Sequence, residues 1–147
     1  MIKYVKGDVL GVTERPAVIM HVCNDIGAWG RGFVKSVSAK WDLPEKRYRA
    51  MNYHVLGSVD FVQVEEGLWV ANMIAQSGIR SKVNPHPLKY ASLALCTRKV
   101  AIFANENNAT VHAPKLGAGL AGGSWDVIKV ILEQGIATEC DVTIYEL

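Results

Sequence analysis

Two glycine-rich stretches carry the residue types that could do chemistry: Asn24-Asp25-Ile26-Gly27-Ala28-Trp29-Gly30-Arg31-Gly32, and Pro114 to Gly123. Glycine lets a backbone turn sharply and lets a ligand approach the main chain. Successive backbone N–H groups leading into a helix make a cradle for phosphate. Two such loops on one sheet edge would grip a diphosphate from both sides. Read without a ligand, the same residues are a pair of tight turns. The better-known nucleotide motifs do not fit. No Gly-Lys-Ser/Thr occurs, so there is no P-loop. Gly117-Ala118-Gly119-Leu120-Ala121-Gly122 spells G-x-G-x-x-G, but no βαβ unit with an acidic ribose ligand follows it, and alone the motif is weak.

His21, His54, His86 and His112 form no H-x-x-x-H pair, and Cys23, Cys96 and Cys140 form no C-x-x-C pair. No metal site and no cofactor are therefore expected. Three cysteines are an odd number, which favours buried thiols in a reducing cytosol over a disulfide framework. The 16 basic and 14 acidic residues nearly balance at a net charge of +2. That is no polybasic footprint, so a nucleic-acid partner is not expected. The start of the chain has no signal-peptide pattern, and no stretch of 18 apolar residues exists to span a membrane. A cytoplasmic monomer is the expectation.

The elements that position the two loops follow from the apolar pattern. Ile2 to Val5 reads as a strand ending at Gly7-Asp8. Ala17 to Cys23 is a nearly continuous apolar run, as in a strand covered on both faces. Val34, Val37 and Trp41 recur at helical spacing. Pro44 restarts the chain, and Tyr48, Met51 and Val55 mark a second short helix. Val59 to Glu65 and Leu68 to Ala75 are strands about the turn at Glu66-Gly67. Asn84-Pro85-His86-Pro87 breaks the chain. A long helix then runs from Leu88 to about Asn105, with Leu88, Ala91, Leu95 and Ile102 on one face, and Asn107-Asn108 ends it. Thr110 to Ala113 is a strand. Ser124 is placed to cap a last helix, with Asp126 in its first turn and Ile128, Ile131 and Leu132 as its stripe. Val142 to Tyr145 closes the chain as a strand. The order β, β, α, α, β, β, α, β, α, β argues for a three-layer α/β/α sandwich, expected as one domain over residues 1–147.

Five blocks give these loops a family. Tyr4-Val5-Lys6-Gly7-Asp8-Val9, His21-Val22-Cys23-Asn24, Trp29-Gly30-Arg31-Gly32-Phe33, Pro114-Lys115-Leu116-Gly117-Ala118-Gly119-Leu120 and Ile144-Tyr145-Glu146-Leu147 occur in family order. Together they resemble the macro domains, and most of all the branch with the yeast ADP-ribose 1″-phosphate phosphatase and the human terminal ADP-ribose protein glycohydrolase. The resemblance implies a mixed central sheet and ADP-ribose, or an ADP-ribosylated molecule, as ligand.

Residue by residue, the resemblance puts Asp8 on the adenine amino group with Val9 beside it; the alternative for Asp8 is a turn or cap residue. Gly30, Arg31, Gly32 and Phe33 match the first phosphate loop, and Gly117, Ala118, Gly119 and Leu120 the second. Ala121 and Leu147 are counted with the ligand contacts. Arg31 stands where glycine is common, either contacting phosphate or facing solvent. Trp29 either flanks the ribose or anchors the loop. Asn24 matches the asparagine on the distal ribose; its alternative is a loop amide bonded to nearby backbone. His21 matches a histidine of the phosphatase-like branch; its alternative is a satisfied core residue.

The glycohydrolase lysine and its assisting aspartate fall, by block alignment, at Gln76 and Ala121. An amide forms no Schiff base and alanine is neither acid nor base, so that mechanism is not expected, and Lys82 lies out of register. The enzyme expectation is metal-independent hydrolysis of ADP-ribose 1″-phosphate or a related derivative, with His21 and Asn24 as catalytic residues and a positioned water. The alternative is a non-catalytic reader of free or protein-linked ADP-ribose.

Overall fold

The computed structural model describes residues 1–119 and 121–147. Its strands are β1 (Ile2–Lys6), β2 (Ala17–Asn24), β3 (Val59–Glu65), β4 (Leu68–Gln76), β5 (Thr110–Pro114) and β6 (Val142–Glu146). Its α-helices are α1 (Phe33–Lys40), α2 (Leu43–Ala50), α3 (Tyr90–Glu106) and α4 (Trp125–Gln134). The order of strands and helices is the one the apolar pattern predicts. Short 3₁₀ turns at Val9–Gly11 and Ile136–Thr138 were not foreseen.

The six strands form one mixed sheet in the order β1-β6-β5-β2-β4-β3. All neighbours pair in parallel except β3, which runs antiparallel to β4 as a hairpin on one edge. The central strands β2 and β4 show why helices must cover both faces. Side chains alternate across a strand, and both sets here are apolar. Val18 and Met20 of β2, with Ala71, Met73 and Ala75 of β4, meet the buried faces of α3 and α4. Ala17, Ile19 and Cys23, with Leu68, Val70 and Ile74, meet α1 and α2. The result is a three-layer α/β/α sandwich.

Three local expectations are corrected. The buried stripe of α3 is Leu93, Cys96, Thr97, Val100, Ala101 and Ala104. Ala91, Leu95 and Ile102 lie on its exposed side. Apolar residues occur on both sides of this helix, and the core accepts small Cys and Ala beside Thr97, whose hydroxyl donates to the Leu93 carbonyl. The α2 helix ends at Ala50, so Met51 is its C-cap and Val55 is exposed beyond it, while Pro44 and Tyr48 form its buried face. Ser124 holds the N-cap position of α4, but its side chain makes no capping bond; its N–H donates to the Tyr90 hydroxyl instead. The α4 stripe is as expected, with Ile128 and Leu132 buried and Ile131 packed against them.

Leu93 is fully buried while Ile102 is 48% exposed. Leu93→Ala should cost about 2–5 kcal/mol of stability, whereas Ile102→Ala should cost less than about 1 kcal/mol. Urea unfolding of the two variants measures the difference, and equal losses would place the stripe elsewhere.

Candidate functional site

Parallel strands send their carboxyl ends to one edge of the sheet, and an α/β sheet takes its ligand there. The loops that follow β2, β4 and β5 meet at that edge around a cavity of about 530 Å³. That volume is within the usual range for a small-molecule site. The first glycine loop contributes Gly30, Arg31, Gly32 and Phe33; the second contributes Gly117, Gly119 and Ala121. His21 and Asn24 line the cavity from the end of β2. Among the other expected residues, Asp8, Val9, Trp29, Ala118 and Leu147 do not line it, and Leu120 lies outside the described residues.

The first loop is shaped by Asn24. Its Oδ1 accepts from the Ile26 and Ala28 N–H groups at 3.1 and 3.0 Å, and its Nδ2 donates to the Ala28 carbonyl at 2.7 Å. The buried Tyr48 hydroxyl lies 2.6 Å from the Asn24 carbonyl oxygen and 2.7 Å from its Oδ1. Burial holds that hydroxyl protonated well above its ordinary range, so it serves as donor. Asn24 is thus the loop amide bonded to nearby backbone, with one amide proton left over. Trp29 is buried, packs against the rings of His21 and Tyr48, and donates from Nε1 to Ser38 Oγ at 2.7 Å. It anchors the loop. The N–H groups of Gly30, Arg31 and Gly32, and those of Phe33 and Val34 in the first turn of α1, donate to no other described group. They are the free donors an anion needs.

Glycines in the two loops differ in kind. Gly32 and Gly117 have φ of 79° and 76°, which only glycine adopts easily. Gly30 and Gly119 have no such φ, and a Cβ at either would meet nothing within 4 Å. Neither backbone geometry nor packing asks for glycine there, yet both line the cavity from opposite loops.

Asp8 accepts from the Leu10 N–H at 2.9 Å and caps the 3₁₀ turn after β1. This satisfies one carboxylate oxygen and leaves the other at the cavity's edge of the sheet. Leu147 is fully exposed.

His21 is buried under Trp29 and Phe33. The neighbouring Asn72 amide donates from Nδ2 to the Pro44 carbonyl at 3.1 Å, which turns its Oδ1 toward His21 Nε2 at 2.6 Å. His21 therefore carries its proton on Nε2 and leaves Nδ1 as a lone pair. That Nδ1 is the one buried side-chain polar atom without a partner among the described residues. Burial pushes the His21 pKa down to about 4, against the smaller opposing effect of the Asn72 bond, so the ring is neutral at pH 7. Cys23 also lines the cavity, but burial pushes its thiol well up, which removes it as a thiolate nucleophile. All three cysteines are buried.

Sequence reasoning missed Ile79 and Arg80 from the loop after β4, and Lys115, which sits inside a matched block. With Arg31, the cavity is lined by three cations and, among the described residues, no carboxylate. Lys115 lies 3.9 Å from Glu146 and 5.5 Å over the Trp125 ring. Arg31 and Arg80 have no carboxylate partner among the described residues. No group of three His, Cys, Asp or Glu among the described residues is placed to hold a metal, and none of their helices is long and apolar enough to cross a membrane.

A three-layer α/β/α sandwich with a basic, glycine-walled cavity at the carboxyl edge of its sheet defines the class. Known structures make the class definite. A protein of unknown function from Bacteroides thetaiotaomicron is 43% identical, with a TM-score of 0.92 over 100% of this chain and 98% of that one. A macrodomain protein from Streptomyces coelicolor is 39% identical, with a TM-score of 0.86 over 100% of this chain and 99% of that one. The chain belongs to the macrodomain family. No family model matches it. Among curated relatives, an ADP-ribose 1″-phosphate phosphatase of Lodderomyces elongisporus is 24% identical over 90% of this chain and 91% of its own. A zebrafish (Danio rerio) chromodomain-helicase-DNA-binding protein 1-like is 28% identical over 93% of this chain, which spans only 14% of that protein.

A neutral buried His21 has a consequence for stability. Between about pH 6.5 and pH 4 the unfolded chain binds a proton that the native ring refuses, so stability falls as pH falls through that window. The loss from this residue is at most about 3 kcal/mol. Guanidinium unfolding at pH 7 and pH 4.5 should show a steeper loss in the wild type than in His21→Gln. Parallel pH dependences would mean that His21 is charged or accessible in the native state.

Proposed function

We propose that this macrodomain binds ADP-ribose, with the diphosphate held between the two glycine loops. The observation that carries the reading is the pair Gly30 and Gly119. Both face the cavity, and neither is required as glycine by its own conformation or its neighbours. Their bareness serves whatever enters between the loops. The free N–H groups at the start of α1 and the cations Arg31 and Lys115 suit a diphosphate, and no carboxylate among the described residues lines the cavity to repel it. Adenine falls to the Asp8 end of the edge, with Val9 beside it. Arg31 takes the phosphate side of its two readings.

Binding without turnover is what the geometry favours. Asn24 spends its Oδ1 and one amide proton on the loop, and His21 Nδ1 is covered. By the block alignment, the glycohydrolase lysine and aspartate correspond to Gln76, which donates from Nε2 to the Gly78 carbonyl at 3.0 Å, and to Ala121. Hydrolysis at the distal ribose is the second reading. It is favoured by the relative named as an ADP-ribose 1″-phosphate phosphatase and by the unpartnered base of His21 beside the cavity.

Calorimetric titration tests the first reading. ADP-ribose should bind the wild type, and Gly119→Val should abolish binding while leaving the fold intact, because the new side chain projects into open space. A folded Gly119→Val protein that binds normally would make the second loop merely structural. The second reading is tested by ³¹P NMR of ADP-ribose 1″-phosphate with excess protein. Binding alone predicts no released phosphate, with or without chelator. Phosphate release that drops about 10²–10⁴-fold in His21→Ala would instead establish an enzyme.

A further inference from the structure

One wall of the cavity comes from neither glycine loop. It is the segment between β4 and α3, and it is tied on two sides. Asp25 Oδ1 accepts from the Gly78 N–H at 2.7 Å, and the Asp25 N–H donates to the Gln76 carbonyl at 2.9 Å. On the other side His86 donates from Nδ1 to the Gly122 carbonyl at 2.9 Å. Asn84 Nδ2 then closes the segment on itself through the carbonyls of Ser77 and Ile79, at 2.9 and 3.1 Å. These ties set Ile79 and Arg80 against the cavity. Lys82, two residues on, does not line it. Arg80 has no carboxylate partner among the described residues; Asp25, the acid bonded to this wall through Gly78, makes no ion pair with it.

Strand order tells which part of a ligand Arg80 would meet. Along the edge run Asp8 after β1, the second glycine loop after β5, the first after β2, and Arg80 after β4. Asp8 and Arg80 are thus four strand steps apart, roughly 19 Å at about 4.8 Å per step. An extended ligand with adenine at Asp8 and its diphosphate between the glycine loops lays its second ribose toward β4. Arg31 and Lys115 belong to the two glycine loops, and Arg80 is the lining cation that lies beyond them on the β4 side. We infer that Arg80 is a specificity residue that selects ligands carrying an anionic substituent on the distal ribose. This rests on the ADP-ribose reading above. The guanidinium donates to the substituent's oxygens, and the Asp25–Gly78 tie positions it.

The test is calorimetry with ADP-ribose and ADP-ribose 1″-phosphate on the wild type, Arg80→Gln and Lys82→Gln. The wild type should prefer the phosphorylated ligand by roughly tenfold or more, as expected for a charge-assisted contact. Arg80→Gln should erase that preference, losing about tenfold more affinity for the 1″-phosphate than for ADP-ribose. Lys82→Gln, a control for the general field, should keep the preference. A wild type that binds ADP-ribose without preference overturns the role of Arg80 and leaves the ADP-ribose reading standing. So does a preference that survives Arg80→Gln, or one that both variants reduce equally. A wild type that binds neither ligand overturns both.

Discussion

The cavity depends on how the chain leaves β2. A strand that ends in the middle of a sheet must hand its last polar groups to something, because an unpaired buried amide costs about as much as a lost hydrogen bond. Here Asn24 and the Tyr48 hydroxyl settle that need together. Asn24 folds the next four residues around its own amide, and Tyr48, reaching from α2, closes the remaining acceptors. Trp29 then seals the turn over His21. With the turn fixed, the N–H groups of residues 30–34 have no partner among the described residues. The order at one end of the loop is what leaves donors unspent at the other.

The same economy recurs at His21. Asn72 is oriented by a backbone carbonyl of α2, and that orientation fixes the tautomer of the histidine beside it. Helix α2 therefore governs the site twice, through Tyr48 and through Pro44, although neither residue lines the cavity. Residues that shape a site without touching its space are hard to find from a sequence. Tyr48 reads there only as one apolar position in a helix, and Asn72 as a polar interruption in a strand.

The elements were legible because both faces of β2 and β4 are apolar and glycine or proline marks each break. The α3 face was not. Leu95 and Ile102 offer a larger apolar signal than Cys96, Thr97, Ala101 and Ala104, yet a helix lying close to a sheet takes the small side. Of the expected site residues, His21, Asn24, Gly30, Arg31, Gly32, Phe33, Gly117, Gly119 and Ala121 come together around one cavity. Trp29 is held by its bond to Ser38 and anchors the loop, and Asp8 spends one carboxylate oxygen on the turn after β1. Arg80 and Ile79 were invisible because no spacing marks them. They reach the cavity through Asp25, Asn84 and His86, contacts across 53, 5 and 36 positions of chain.

Gly30 and Gly119 bear on the unfolded chain as much as on the folded one. A glycine that could be alanine without strain leaves the unfolded ensemble freer than it need be, and each such position forgoes about 0.4–1 kcal/mol of stability. Two of them, on facing loops, amount to a standing entropic deficit located at one edge of the sheet. Alanines there would be expected to raise the melting temperature of the empty protein. Both positions line the cavity, so its occupancy is where that deficit would be made good.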